Sequence, residues 1–200
     1  MAPLESLWIS KLRAHIVSRA RGRLLEVGAG TAVNLPYYSL EKLTELILSD
    51  AKDEPATLKR RASARLRESG RNGTPLSYPE IFGRVRCLQV AVEVLPFDSE
   101  RFDTVVATLL FCSVKDPEKA LREVYRVLRP GGQFLFIEHV RPLDPRTAVL
   151  FDSLTPGWRR IASGCHLNRD TLHSIRAVGF AITELQRPGN GVFVGGVGSK

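Results

Sequence analysis

Apolar positions along this 200-residue chain switch repeatedly between a helical and a strand-like spacing. Over residues 3–20, Leu4, Leu7, Trp8, Leu12, Ile16 and Val17 recur near helical spacing with Lys11, Arg13 and Arg19 between them, which predicts an amphipathic helix ending near Gly22. It reads as a cover for the domain, with a substrate lid or a membrane-surface contact as the alternatives. Short apolar runs then predict strands at 23–27, 44–49, 85–90, 102–109 and 133–139. A helix is expected from about Val33, where Pro36 confines it to a first turn or interrupts it. Further helices are predicted at 54–68, at 117–128 with Asp116 as N-cap and Pro130-Gly131-Gly132 as its stop, at 144–161 with a break at Pro156-Gly157, and at 168–178. The Gly-, Asn-, Pro- and Ser-rich stretch 70–79 reads as a loop, and the runs 181–186 and 192–197 as a hairpin turning at Pro188-Gly189-Asn190-Gly191.

Strands alternating with helices imply a parallel sheet covered on both faces, here with an antiparallel hairpin at one edge. Ligands in such sheets sit at the carboxyl ends of the strands, near the switch point. Gly28, Asp50, the segment 91–93 and the segment 110–113 all fall at those ends, so four strand ends are expected to converge on one crevice. Without repeats or a long linker, the chain reads as a single domain, with 1–20 as an N-terminal helix or lid and 141–179 as substrate-side helices. Lys and Arg number 29 against 21 Asp and Glu, a net charge of +8, which suits nucleic acid, an anionic membrane surface or an acidic ligand, or else serves solubility alone. Three cysteines without paired spacing argue for a reducing setting, and no apolar run approaches transmembrane length, so a soluble cytoplasmic protein is expected.

The candidate chemistry starts at Leu24-Leu25-Glu26-Val27-Gly28-Ala29-Gly30-Thr31. Glycine tolerates positive φ and lets the backbone approach a bound cofactor. Asp50 follows Gly28 by 22 residues and closes the second strand, where a carboxylate can accept from both hydroxyls of a ribose. The plainer role is an N-terminal cap for the next helix. Dinucleotide sites need a third glycine beside the pyrophosphate; here Ala32 stands in that place and Glu26 puts an acid inside the strand end. A carboxylate there suits a cofactor with a positive amino group and no phosphate, as S-adenosylmethionine has.

These stretches resemble a class I S-adenosylmethionine-dependent methyltransferase of the small-molecule and lipid type (type 11 domain). Glu26-Val-Gly-Ala-Gly-Thr31 is similar to that family's first motif, Asp50 to its second, Val92-Glu93-Val-Leu-Pro-Phe97-Asp98 to the stretch after strand three, Phe102-Asp103-Thr-Val-Val to the fourth motif, and Arg126-Val-Leu-Arg-Pro-Gly-Gly132 to the turn before strand five. Leu110-Phe-Cys112-Ser113-Val114, Glu138-His139-Val140 and Gly164-Cys165-His166-Leu-Asn168-Arg169-Asp170 look most like the thiol methyltransferase branch, grouped with ubiquinone-biosynthesis methyltransferases. Animal members of that branch carry an N-terminal membrane segment, which these first residues do not show. The resemblance implies a Rossmann-like, doubly wound, mostly parallel seven-stranded sheet.

It also implies S-adenosylmethionine as cofactor and S-adenosylhomocysteine as product. The cofactor set implied is Glu26, Gly28, Ala29, Gly30, Thr31 and Asn34 around the first turn, with Asp50 and Ala51 after strand two. Val92 and Glu93 follow strand three, and Leu109, Leu110 and Cys112 follow strand four. Ala91-Val92 replaces the family's Asp-Ala, so backbone groups are expected to hold the adenine amino group.

The reading is of methyl transfer to a small-molecule acceptor, a thiol first, with His139 and His166 as candidates for base or substrate contact. Both can equally be structural histidines. Phe151, Leu154 and Trp158 read as an apolar acceptor pocket or as ordinary core, and Cys165-His166 with His173 matches no standard zinc spacing. Lipid, quinone or phenol methylation is the nearer alternative, and contact with an anionic membrane would accompany it. A nucleic-acid enzyme would use Lys59, Arg60, Arg61, Arg65, Arg67 and Arg71 on phosphates, but these read better as a solvated helix face. That chemistry also calls for an Asn/Asp-Pro-Pro-Tyr-type segment where Leu110-Phe-Cys-Ser stands. A silent cofactor-binding module and a nicotinamide oxidoreductase complete the alternatives.

Overall fold

The computed structural model describes residues 3–70, 85–162, 164–189 and 191–200. Among them, seven strands form one sheet in the order β3-β2-β1-β4-β5-β7-β6. They are β1 (Gly22–Val27), β2 (Leu43–Asp50), β3 (Val85–Gln89), β4 (Phe102–Thr108), β5 (Leu128–His139), β6 (Ala181–Gln186) and β7 (Phe193–Ser199). Neighbours from β3 to β5 pair in parallel; β7 alone runs the other way, wedged between β5 and β6. The chain winds outward from β1 through β2 to β3, then crosses back to β4 on the other side of β1. That reversal leaves a crevice above the carboxyl ends of β1 and β4.

Strands with near-continuous apolar runs are covered on both faces, as parallel sheets require. On one face Leu25, Val105, Phe134 and Phe136 pack under α3 (Pro117–Val127) and α5 (Thr171–Ala177). On the other, Leu24, Leu48, Val106 and Ile137 meet α1 (Pro3–Ile16) and α2 (Pro55–Gly70). In α1 the buried residues are Ile9, Leu12 and Ile16, so its apolar stripe is spent on the sheet, while Leu7 and Trp8 stay exposed. In α2, Leu58, Ala62 and Leu66 repeat every four residues and are buried, the spacing of one helix face. Asp116, Asp144 and Asp170 each accept an amide at the start of α3, α4 (Pro145–Ile161) and α5.

Four expectations change. No α-helix follows β1: the chain makes two three-residue 3-10 turns, Leu35–Tyr37 and Leu40–Lys42. Pro36 cannot donate, Ala32 sits at φ 56°, and the fifteen residues between Val27 and Leu43 leave little room for more. The helix before strand five stops at Val127, ahead of Pro130-Gly131-Gly132. Those three residues belong to β5, whose register slips between the pairs Phe102–Leu128 and Thr104–Gln133, with Gly131 at φ 71° absorbing the extra length. The helix α4 runs unbroken through Pro156, with the Thr155 hydroxyl donating to the Phe151 carbonyl at 2.7 Å in the turn that proline disturbs. Phe151 is half-buried, while Leu154 and Trp158 are exposed, so the three do not enclose a pocket. The loop read at 70–79 lies, apart from Gly70 at the end of α2, outside the described residues.

The closing β6–β7 pair is antiparallel, as expected of a hairpin. Its glycines follow from crowding. A Cβ at Gly195 would come within 2.9 Å of Leu12 in α1, and one at Gly196 within 2.7 Å of the Glu184 carbonyl. Glycine there lets α1 and the edge strand close on β7.

Candidate functional site

The strand ends do converge. A cleft of about 750 Å³ opens above them, lined by Gly28 after β1, Asp50 and Ala51 after β2, and Val92 and Glu93 after β3. Leu109, Leu110 and Ser113 after β4 close the ring, and Lys52, Lys115 and Lys119 bring positive charge to it. That volume is the size of a nucleoside-bearing ligand with a small second molecule.

Gly28 sits at φ 69°, which strains any other residue, and a Cβ there would also lie 2.7 Å from Leu110 Cδ1 and push that side chain aside. Gly30, at φ 49°, differs. A Cβ there would meet nothing nearer than 3.9 Å and would stand 4.0 Å from the Asp50 carboxylate, which is open space a ligand can use. The Ala29 amide donates to the Ser49 carbonyl at 2.9 Å, tying the turn to β2. Asp50 Oδ2 accepts from the Gly30 amide at 3.1 Å, and Oδ1 from the amides of Lys52 at 2.9 Å and Asp53 at 3.3 Å. These donors fix the rotamer and leave the half-buried carboxylate facing the cleft. Without a helix after β1, the turn is braced from α2: Arg61 donates to the Gly30 carbonyl at 2.9 Å and pairs with Asp53. Arg65 pairs with Glu68, so part of the basic run on α2 is internally engaged. The open turn at Gly30, the carboxylate beside it and the cleft volume fit a ribose-bearing cofactor such as S-adenosylmethionine.

Two predicted residues lie behind the turn. Glu26 is fully buried on the α1 side of the sheet; Asn34 Nδ2 donates to its Oε1 at 2.9 Å and Tyr38 Oη to its Oε2 at 2.7 Å. Asn34 also donates to Thr108 Oγ1 at 3.0 Å and accepts from Arg13 Nε at 2.9 Å, so its amide is fully used. Glu26 and Asn34 thus support the turn from within. Thr31 is exposed, and none of Ala29, Gly30 and Thr31 lines the cleft, Gly30 meeting it only through Asp50.

Burial pushes the Glu26 carboxyl up to about 7 from 4.5, against the bonds from Tyr38 and Asn34. A carboxyl raised in the folded state binds more protons folded than unfolded across that window, so its contribution to stability is complete below pH 4.5 and is lost as pH rises through about 7. Glu26→Gln should therefore flatten the pH dependence of thermal unfolding and make the variant the more stable protein above neutral pH, by up to about 3 kcal/mol. Glu138 acts with the same sign, so the flattening is partial. Melting curves across the range test this; a steeper pH dependence in the variant contradicts it.

Glu138 is the functional residue that sequence reasoning left without a role. Fully buried at the end of β5, it accepts from the amides of Leu110 and Phe111 at 2.9 Å each and of Cys112 at 3.2 Å. One side chain thereby sets the loop that forms the far wall of the cleft. Burial pushes Glu138 up to about 7 in spite of those donors. An acid in an otherwise apolar strand, the same signal that singled out Glu26, was available to find it. Arg169, which donates to the Phe111 carbonyl, holds the loop from the other side.

The remaining candidates gather at that loop's outer end. His166 donates its amide to the Cys112 carbonyl at 2.7 Å, and its Nδ1 lies 3.2 Å from the same oxygen. A carbonyl can only accept, so Nδ1 carries the proton and Nε2 keeps its lone pair. Desolvation, then the charge of Arg169, holds His166 below its usual range. Cys112 and Cys165 are both free thiols that interact with each other, and that interaction, with Trp158, Arg169 and Ser113 acting in the same direction against burial, holds Cys165 below its usual range. Cys112 is pushed up by the same interaction and by burial. His139 is buried elsewhere, stacked on Phe151 at 6.0 Å and edge-on to Phe193 at 5.2 Å. His139, His166 and Cys112 are not among the residues lining the cleft, although Ser113, next to Cys112, is.

A family model described as a methyltransferase domain matches residues 25–136. The thiol S-methyltransferase TMT1B of Rattus norvegicus is 45% identical over 85 residues, 42% of this chain and 35% of that protein. The ubiquinone/menaquinone biosynthesis C-methyltransferase UbiE of Vibrio cholerae is 30% identical over 138 residues, 68% of this chain and 48% of that one. The chain thus spans about a third of the one relative and about half of the other. Among solved structures, the YcgJ protein of Bacillus subtilis superposes with a TM-score of 0.67 at 25% identity, covering 88% of this chain and 72% of that chain.

Proposed function

The chain belongs to the methyltransferase domain family, and on that footing we propose that it transfers the methyl group of S-adenosylmethionine to a small-molecule acceptor, a thiol first among them. When bound, the cofactor supplies an electrophilic sulfonium methyl. Asp50 would accept the ribose hydroxyls, with the open turn at Gly30 admitting the cofactor beside it. Val92, Leu109 and Leu110 would exclude water from the line of transfer, where alignment does most of the work.

One arrangement supports the thiol reading: Ser113 lines the cleft wall, and behind it Arg169 donates to the Phe111 carbonyl near the Cys165 thiol, which its neighbours, Cys112 first among them, hold below its usual range. Its Cys112 partner is private to Cys165, but the Arg169 charge and the Ser113 hydroxyl would favour the thiolate of an incoming acceptor in the same way, and a thiolate is the nucleophile the reaction needs. With its Nδ1 held by the Cys112 carbonyl, His166 is the imidazole we assign to the acceptor's proton. His139, between two aromatic rings, is left as a positioning residue. The local identity to a thiol S-methyltransferase supports this acceptor, and the longer match to UbiE supports a quinol carbon as the second reading.

The test is a methyl-transfer screen over alkyl thiols, hydrogen sulfide, phenols, quinols and amino lipids, preceded by calorimetry with S-adenosylmethionine, S-adenosylhomocysteine and NAD. Both sulfur nucleosides should bind and NAD should not. Thiols should be methylated, and His166→Ala should slow them roughly a hundredfold near neutral pH. That gap should narrow as pH approaches the thiol's own value of about 8.5. Turnover of quinols without thiols transfers the assignment to the second reading, and NAD binding alone removes both.

A further inference from the structure

The helix α4 carries an apolar stripe that the described fold does not cover. Leu150, Leu154, Trp158 and Ile161 are 54%, 51%, 43% and 80% exposed, and Leu143, just ahead of the helix, is 72% exposed. Steps of four, four and three residues put the four on one helix face. The packed face is a different one, where Ala148 and Thr155 are buried. Single exposed leucines are ordinary; four aligned on one helix are not.

The charges around the stripe have one sign. Arg146 borders its first turn and Arg160 its last, both exposed. The acids of this segment are committed locally, Asp144 to the Thr147 amide at 2.7 Å and Asp152 to Arg141 at 2.8 Å. In α1, by contrast, Ile9, Leu12 and Ile16 pack on the sheet, leaving only Leu7 and Trp8 exposed among its large apolar side chains described.

We propose that α4 is a docking surface for an anionic phospholipid bilayer, lying in the interfacial plane with the stripe at the acyl boundary and the arginines among the headgroups. Trp158 suits that boundary with its large apolar ring, while its indole nitrogen is turned to Cys165. A second copy of the chain fits worse. A two-fold contact sets the same patch against itself, bringing arginines onto arginines. None of the helices described is long and apolar enough to cross a membrane, which is compatible with a helix that lies on one. The proposal concerns where the protein works and holds for any methyl acceptor.

The experiment is flotation with vesicles of phosphatidylcholine, alone or doped with phosphatidylglycerol, at low and high salt. Binding should favour the anionic vesicles and weaken with salt. Leu154→Glu with Ile161→Glu should lower partitioning about tenfold or more, with circular dichroism and S-adenosylhomocysteine binding unchanged. Arg146→Gln with Arg160→Gln should remove the preference for anionic vesicles. In a Trp8→Phe background, Trp158 becomes the single tryptophan, and brominated lipid should quench it. The proposal is overturned by absence of flotation, by flotation that the glutamates leave unchanged, or by vesicle binding without quenching of Trp158. A dimer that the glutamates dissolve, in a protein that does not float, assigns the stripe to a second copy instead.

Discussion

Asp50→Ala should weaken S-adenosylmethionine and S-adenosylhomocysteine binding by two orders of magnitude or more in calorimetry. The lost groups are two acceptor sites for ribose hydroxyls on an ionised carboxylate, each such bond contributing about 1.5–3 kcal/mol. The carboxylate also orders the turn, since it accepts the amides of Gly30, Lys52 and Asp53. Asp50→Asn keeps one acceptor oxygen, turns an NH₂ toward the amides the other served and gives up the charge, so affinity should fall about tenfold with a smaller drop in melting temperature than in Asp50→Ala. Full affinity in Asp50→Ala would remove this residue from the cofactor site.

Glu138→Ala should cost about 3–6 kcal/mol of unfolding free energy, because it strands three backbone amides at the loop after β4. In a chain of this size that lowers the melting temperature by roughly 10 °C or more. Glu138→Gln keeps an acceptor for Leu110 and Phe111 but turns an NH₂ toward Cys112, so it should lose about a third to a half as much. Urea or thermal unfolding reads both. A melting temperature within about 2 °C of the parent for Glu138→Ala would show that the loop holds without its carboxylate.

Much of the architecture was legible because it rests on local period. β1, β2 and β4 are short apolar runs that end on residues with a reason to be there, Gly28 and Asp50 above all, and the structure puts both in one cleft. The failures came where a distant side chain decides the outcome. Glu26 and Glu138 look alike in sequence, each an acid at an apolar strand's end. Their partners are Tyr38 twelve residues on in one case and a loop more than twenty-five residues back in the other. No window of local pattern contains those pairs. The helix expected after Gly30 failed for a related reason: Asn34 and Tyr38, which would have sat on it, are drawn into the strand below by Glu26. At Pro156 the local signal misleads in the other direction, since the proline predicts a break and the helix carries straight through it.

The Glu138 arrangement also bears on how such a protein diversifies. A loop whose amides are gathered by a carboxylate on the neighbouring strand carries its backbone shape independently of its own side chains. Ser113, Val114 and Lys115 face the cleft from the end of that loop. They can vary while Glu138 stays. A library randomised at those three positions would explore acceptor preference over a wall that keeps its form, which makes them the natural place to teach this scaffold a new substrate.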